Sequence, residues 1–253
     1  MKKSIYLTII WIITIFCIAG GTCYHIMGWG ESFFNRFSSN NSKKLSGQEA
    51  LDTFDRISFD IDMSEVYIVT GSEYRLSYSC TKNQLVEYKV VDGTLTITET
   101  SKNSHYPRRT GNDYCSITIT VPRDTSLSSV TGECRLGDVE LSGFTAEAID
   151  ISCNLGEASI SDVTASSIDC SCDLGTCEID NCSFDNLTAH NSLGNVEVQS
   201  RHPLSDYTLD LSVSMGSIEI NDNEYFANFE REGDKDKCIK ITCDMGSIEL
   251  EDN

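Results

Sequence analysis

The sequence predicts an all-β fold: a parallel β-solenoid, or β-helix, of rungs about 19 residues long, preceded by an N-terminal transmembrane helix. Three observations carry that prediction. Short runs of Ile, Val and Leu alternating with carboxylates and hydroxyls recur through the chain, the pattern of strands with one buried face. The Cys-x-Leu-Gly opening of "CNLGEASISDV" (residues 153–163) returns nineteen residues later in "CDLGTCEIDNC" (172–182). The first thirty residues carry no Lys, Arg, Asp or Glu after Lys3.

Residues 1–30 are long enough to cross a hydrocarbon layer, which needs about 20 apolar residues. Lys2 and Lys3 would stay on the cytoplasmic side and send the remainder outward. That predicts a single-pass protein of the cell membrane with an extracytoplasmic domain. A cleaved signal peptide, with Ala19-Gly20-Gly21 as its small-residue cleavage region, is the rival. Apolar character continuing through Ile26 and Met27 to Trp29 favours the uncleaved anchor. A lipoprotein anchor at Cys23 lacks the aliphatic residue such a signal wants three places earlier. Residues 31–50 read as a polar linker that tethers the next domain. Residues 51–253 are then the solenoid, and a hydrophobic content of 40% in 253 residues supports its core. The net charge of −20 argues against nucleic acid and anionic lipid headgroups as direct ligands, because both would be repelled.

With Ile149 at rung position one, Ile151, Cys153 and Leu155 fall on three, five and seven, Gly156 on eight, Ala158 and Ile160 on ten and twelve, and Val163 on fifteen. The units beginning at Val130, Ile168 and Leu187 keep that frame, and those at Leu209 and Ile239 follow after insertions. A seventh copy starts at Ile57, with Ser64 in the glycine place. Positions one to seven alternate as in a strand with one buried face. The step from seven to ten reverses inward parity, so a corner is expected there. Gly137, Gly156, Gly175, Gly194, Gly216 and Gly246 stand where a backbone with φ > 0 is needed. The step from twelve to fifteen predicts a second corner. Between the first copy and the others, residues 74–80, 85–100 and 114–122 read as strands with an Asp92-Gly93 hairpin turn, a wider and partly antiparallel start that shields the first edge.

Of the twelve cysteines, Cys134, Cys153, Cys172 and Cys243 share position five, a column that also holds Val213 and Asn191. Valine replaces a small buried hydrophobe but neither a metal ligand nor a disulfide partner, so the column reads as core filler. Cys170, Cys177 and Cys182 also fall on inward positions. Cys80 and Cys115 lie outside these columns and are the candidate disulfide. Asn191, buried, needs a hydrogen-bond partner. No metal or cofactor site is assigned.

Position eleven places Glu178, Glu197, Glu219 and Glu249 on the outside of their rungs, a mutually repulsive file where a divalent cation would gather. A solvated face that discourages sheet-to-sheet sticking is the favoured reading. A lyase or hydrolase acting on acidic glycans would need a base and a nearby cation to stabilise developing charge. Asp150 and Asp169 stand outside likewise at position two; no Lys or Arg stands in these columns except Lys240, and no catalytic residues are assigned.

The segments "ISFDIDMSEVYIVTG", "VVDGTLTIT" and "ITITVPRDTSLSSVTGECRLGDVELSG", with the recurring [Leu/Met]-Gly-x-[Val/Ile]-Glu-[Ile/Val/Leu], resemble the bacterial "putative-adhesin" proteins with β-strand repeats. The resemblance covers about residues 54–253. It implies a stacked β-structure at the cell surface, and some relatives are linked to envelope-stress systems. The family contributes no catalytic residues, and cysteine columns depart from its usual Val, Ile and Ala filling. The expected function is a non-enzymatic, membrane-anchored surface binding or scaffold module, its partner an envelope protein or a surface glycan. The alternatives are an envelope-stress accessory that contacts a membrane sensor and, last, a glycan-active β-helix enzyme.

Overall fold

The computed structural model describes residues 45–80, 84–101 and 115–252. The segment read as membrane anchor or signal peptide, most of the linker and residues 102–114 lie outside them. Among the described residues no helix is long and apolar enough to cross a membrane, and strands dominate.

Each nineteen-residue unit becomes one coil. The later coils are single bent strands: β10 (Thr145–Ser161), β11 (Thr164–Cys182), β12 (Asn186–Ser200), β13 (Tyr207–Ile220) and β16 (Asp234–Asp252). The earlier ones are made of two strands each. These are β2 (Arg56–Ile61) with β3 (Ser64–Gly71), β6 (Thr94–Ser101) with β7 (Cys115–Pro122), and β8 (Ser126–Cys134) with β9 (Val139–Ser142). Neighbours pair in parallel with like on like: Ile149 beside Ile168, Cys153 beside Cys172, Gly156 beside Gly175. Inward columns therefore run as files of buried Ile, Leu, Val, Cys and Ala. Where one coil's residue is too large its neighbour yields: at Gly132 an added Cβ would lie 1.9 Å from the Phe59 ring.

Chain order and spatial order differ at both ends. Stacked, the coils run β6/β7, β2/β3, β8/β9, β10, β11, β12, β16, β13. The spacing had placed the coil beginning at Leu209 directly after that beginning at Leu187. Instead Leu187 pairs with Ile239, and Leu209 lies on the far side of Ile239. At the other end the β6/β7 coil, read as irregular, lies outside the first repeat and supplies buried Leu95, Ile97, Ile117, Ile119 and Val121. Like-on-like pairing constrains which positions meet, not which coils do, so spacing alone orders coils along the chain and not in space.

Both ends are closed by antiparallel strands. β5 (Gln84–Val91) runs back along β6 through the Asp92-Gly93 turn, whose two residues have φ of 50° and 75°. β4 (Arg75–Cys80) pairs with β7, and β1 (Leu45–Ala50) with β4. Six residues of the segment read as linker thus belong to the sheet; their main-chain bonds to β4 need no hydrophobic pattern, which is why "LSGQEA" carries no strand signal. At the opposite end β14 (Asn223–Tyr225) and β15 (Asn228–Arg231) fold back on β13. Cys80 and Cys115 are disulfide-bonded, joining the end of β4 to the start of β7.

The first corner departs from its prediction. Position seven was read as inward, yet Leu155, Leu174 and Leu193 are exposed. The chain turns just after position five and spends four residues outside before Ala158 re-enters. The second corner falls at Gly143, Asp162 and Asn181, all with φ between 48° and 78°. There short polar side chains tolerate the left-handed region.

Candidate functional site

Three files of side chains, each one residue wide and several coils long, define what this surface and interior can do. The first is the interior column at position five. In stacking order it reads Ile61, Cys134, Cys153, Cys172, Asn191, Cys243, Val213. Its members do more than fill space. The Cys153 thiol donates to the Gly137 carbonyl at 3.2 Å, and Cys243 donates to that of Gly194 at 3.4 Å. Asn191 donates through Nδ2 to Gly175 O at 2.9 Å and to Asn195 O at 3.0 Å, while Cys172 donates to Thr176 O at 3.4 Å. A small donor is wanted here because the corner aims carbonyl groups inward, where they would otherwise be buried unpaired. Asn191 and cysteine share that ability, and their sharing a column follows from it. Asn191 Oδ1 stays without a partner.

Burial pushes the Cys243 thiol above its ordinary value. Cys134 is pushed far above the ordinary thiol range by donating to Cys153 and by burial. Cys182 is raised to about 11, mainly by burial. In β11, the neighbouring Cys170 and Cys172 side chains draw Cys177 below the ordinary thiol value, while Cys172, Cys177 and burial push Cys170 up. Among the described residues no group of three or more His, Cys, Asp or Glu is arranged to hold a metal ion.

The second file is outward position eleven. Glu178, Glu197, Glu249 and Glu219 stand side by side in that order, because β16 lies between β12 and β13. Glu178, Glu197 and Glu249, with Asp180, Gln199 and Glu251, line a shallow groove of about 150 Å³. Partial burial, followed by Glu197, Glu219 and Glu251, pushes the Glu249 carboxyl above its usual range. Glu157 is raised likewise, by burial and then by its hydrogen bond and proximity to Glu178. Among the described residues none of the ion pairs reaches this file; Lys240–Asp210, at 3.1 Å, sits on another column of the same coils. The arrangement attracts cations and repels anions.

The third file was missed by sequence reasoning: the position-seven corner, a row of exposed Leu and Met. Also missed was Glu99, which is 5% exposed. By register it extends the position-five column beyond Ile61. Its carboxylate accepts from Met63 N at 3.0 Å, Ser64 Oγ at 2.6 Å and Gln84 Nε2 at 3.0 Å. These bonds tie the outermost coil to the corner at which Ser64 replaces glycine. No repeat signal could reveal it, since its coil lacks the glycine motif.

In-register coils closed by antiparallel strands define a β-solenoid-like class of domain. A family model described as Toastrack DUF4097 matches residues 54–251, and the chain belongs to that family. Among solved structures it is similar to a putative cell adhesion protein from Clostridium sporogenes ATCC 15579, at 10% identity and a TM-score of 0.54 over 83% of this chain and 100% of that one. It is also similar to a putative adhesin from Bacteroides fragilis NCTC 9343, at 14% identity and a TM-score of 0.45 over 83% and 97%. At 10% identity the first of these likenesses shows the fold alone. No curated protein matches the chain.

Proposed function

We propose that this protein is a non-enzymatic binding or scaffold module at the cell surface, held at the membrane by residues 1–30. The observation that carries the reading is the run of straight, register-locked files on its outer faces, each presenting one kind of side chain over several coils. Such a surface recognises an extended partner by repetition rather than by enclosing a small molecule. The adhesion role named for its structural relative supports the same reading. The glutamate groove fits binding better than turnover, since its carboxylates face one another and a glycan-cleaving site would pair a base with a nearby cation.

The test compares the full-length protein with a version lacking residues 1–30 for retention on envelope preparations and on a glycan array. Binding that survives loss of the N-terminal segment supports the module. Turnover on a glycan panel that disappears in Glu178→Gln or Glu197→Gln would replace this reading with an enzymatic one.

A further inference from the structure

The first corner carries six side chains that the fold does not require to be apolar. Leu136, Leu155, Leu174, Leu193, Met245 and Met215 hold the same place in consecutive coils. The three leucines from Leu155 to Leu193 and Met245 are 45–48% exposed, and Met215 is 60% exposed. The second corner, also at the surface, is built from Gly143, Asp162 and Asn181, so exposure at a corner does not itself call for Leu or Met. At about 4.8 Å per coil the row runs roughly 24 Å. It offers roughly 500 Å² of apolar surface, near the upper end of what a soluble monomer shows in one patch. Phe226, 72% exposed, extends it at the Met215 end. It sits between Tyr225, paired with Ile218, and Ala227, whose carbonyl accepts from Val213 N.

A second observation says what covers this ridge. Its flanks are acidic: Asp173 and Asp244 immediately precede ridge residues, Asp138 and Glu157 follow the glycine, and the glutamate file begins four residues beyond the ridge. Among the described residues no ion pair engages these carboxylates; Arg135, beside Leu136, is committed to Asp60, Asp62 and Glu133. A second copy would set acid against acid and would bury less than the roughly 800 Å² per partner typical of stable complexes. An anionic bilayer would be repelled. An α-helix advances about 5.4 Å per turn, close to the coil spacing, so four to five turns match the ridge nearly one side chain per coil.

We propose that the Leu/Met ridge is a docking site for a basic amphipathic helix of a partner protein, its apolar row on the ridge and its Lys and Arg side chains over the glutamate file. The proposal deepens the binding-module reading and rests on it.

The test uses the full-length protein in zwitterionic nanodiscs, with empty discs as background. The probe is a fluorescent synthetic helix of about 18 residues, with one Leu row and Lys along one flank. Anisotropy should show saturable binding that weakens about tenfold between low salt and about 0.5 M salt. The combined Leu155→Ser, Leu174→Ser and Leu193→Ser variant should lose at least about tenfold in affinity with its thermal midpoint unchanged. A peptide with Glu in place of Lys, tested on the unaltered protein, should not bind. This arm decides even where the triple variant fails to fold. Equal binding of the two peptides, or unchanged affinity in a folded triple variant, overturns the proposal. So does a dimer in sedimentation that the triple variant disperses, since the occupant is then a second copy. Retention on envelope preparations without peptide binding refutes the ridge proposal alone and leaves the binding module standing.

Discussion

Replacing Gly175 with alanine places a methyl group where the neighbouring coil already has backbone. The new Cβ would lie 1.7 Å from the Gly156 carbonyl oxygen and 2.8 Å from its carbon, at a φ of +147°. No rotamer relieves this, because both partners are main chain. Two costs combine. An L-residue held in that glycine-only region costs about 1–3 kcal/mol, and forcing an extra carbon into a packed contact costs about 1–3 kcal/mol more. The sum, about 4 kcal/mol, corresponds to a fall in thermal midpoint of about 10 °C for a domain of this size.

The control is Gly143→Ala, at φ +78°, where the nearest atom to the added Cβ is Thr70 Oγ1 at 3.3 Å. There the backbone cost of about 1 kcal/mol stands nearly alone. Thermal and urea unfolding of wild type and both variants, followed by circular dichroism, should rank them wild type, Gly143→Ala, Gly175→Ala. A Gly175→Ala protein within about 1 kcal/mol of wild type, or equal to the Gly143→Ala protein, would refute the argument that the glycine column exists for coil-to-coil approach.

Asn191→Val should cost about 1–3 kcal/mol by leaving the Gly175 and Asn195 carbonyls unpaired, whereas Asn191→Cys, which restores the column's usual donor, should cost less; equal losses in urea unfolding would show that the donor is irrelevant. Replacing Cys80 and Cys115 together by Ser should lower stability by up to about 4 kcal/mol, the loop-closure value for a separation of 35 residues, and a urea midpoint indifferent to the change would count against a stabilising cross-link. Glu157 and Glu249 have raised folded-state values, so the folded chain binds protons that the unfolded chain has already released. Stability should therefore rise as pH falls from about 7.5 toward 5, most clearly at low salt; a midpoint that falls or stays level over that range would remove repulsion in the glutamate file as its cause.

Register was legible in the sequence because parallel coils stack equivalent residues, so the geometry repeats wherever the spacing does. Ile149, Ile168 and Leu187 could be aligned from the chain alone. The ridge was not legible, and the reason is local. Cys153 and Leu155 are both apolar and two apart, which reads as one strand face. The corner, however, opens before Leu155 and turns it outward, and hydrophobicity does not distinguish a buried leucine from an exposed one. The cysteine column showed its inward direction through its Val and Asn members, but its donor role depends on where the corner carbonyls point. Glu99 was invisible because its partners, Ser64 and Gln84, come from distant parts of the chain.

The two out-of-order coils follow from one physical problem. A stack of parallel coils ends in an unpaired strand edge at each side, a template for association with other chains. Here each outermost coil is followed or preceded by antiparallel strands that cover it: β14 and β15 over β13, β4 and β5 over β7 and β6. At one end the chain makes the end coil β13, builds that cover and re-enters one place inward as β16; at the other it builds the cover, makes the end coil β6/β7 and re-enters two places inward as β8/β9. Residues 234–252 therefore pair on both sides, with β12 and with β13. The C-terminal coil is an interior coil, and removing it would strand β13 with its cover as well as expose β12. The same placement sets Glu249 between Glu197 and Glu219, and Met245 between Leu193 and Met215. Without that last coil neither outward file would be continuous, so the device that closes the end of the fold also completes the surface proposed to bind.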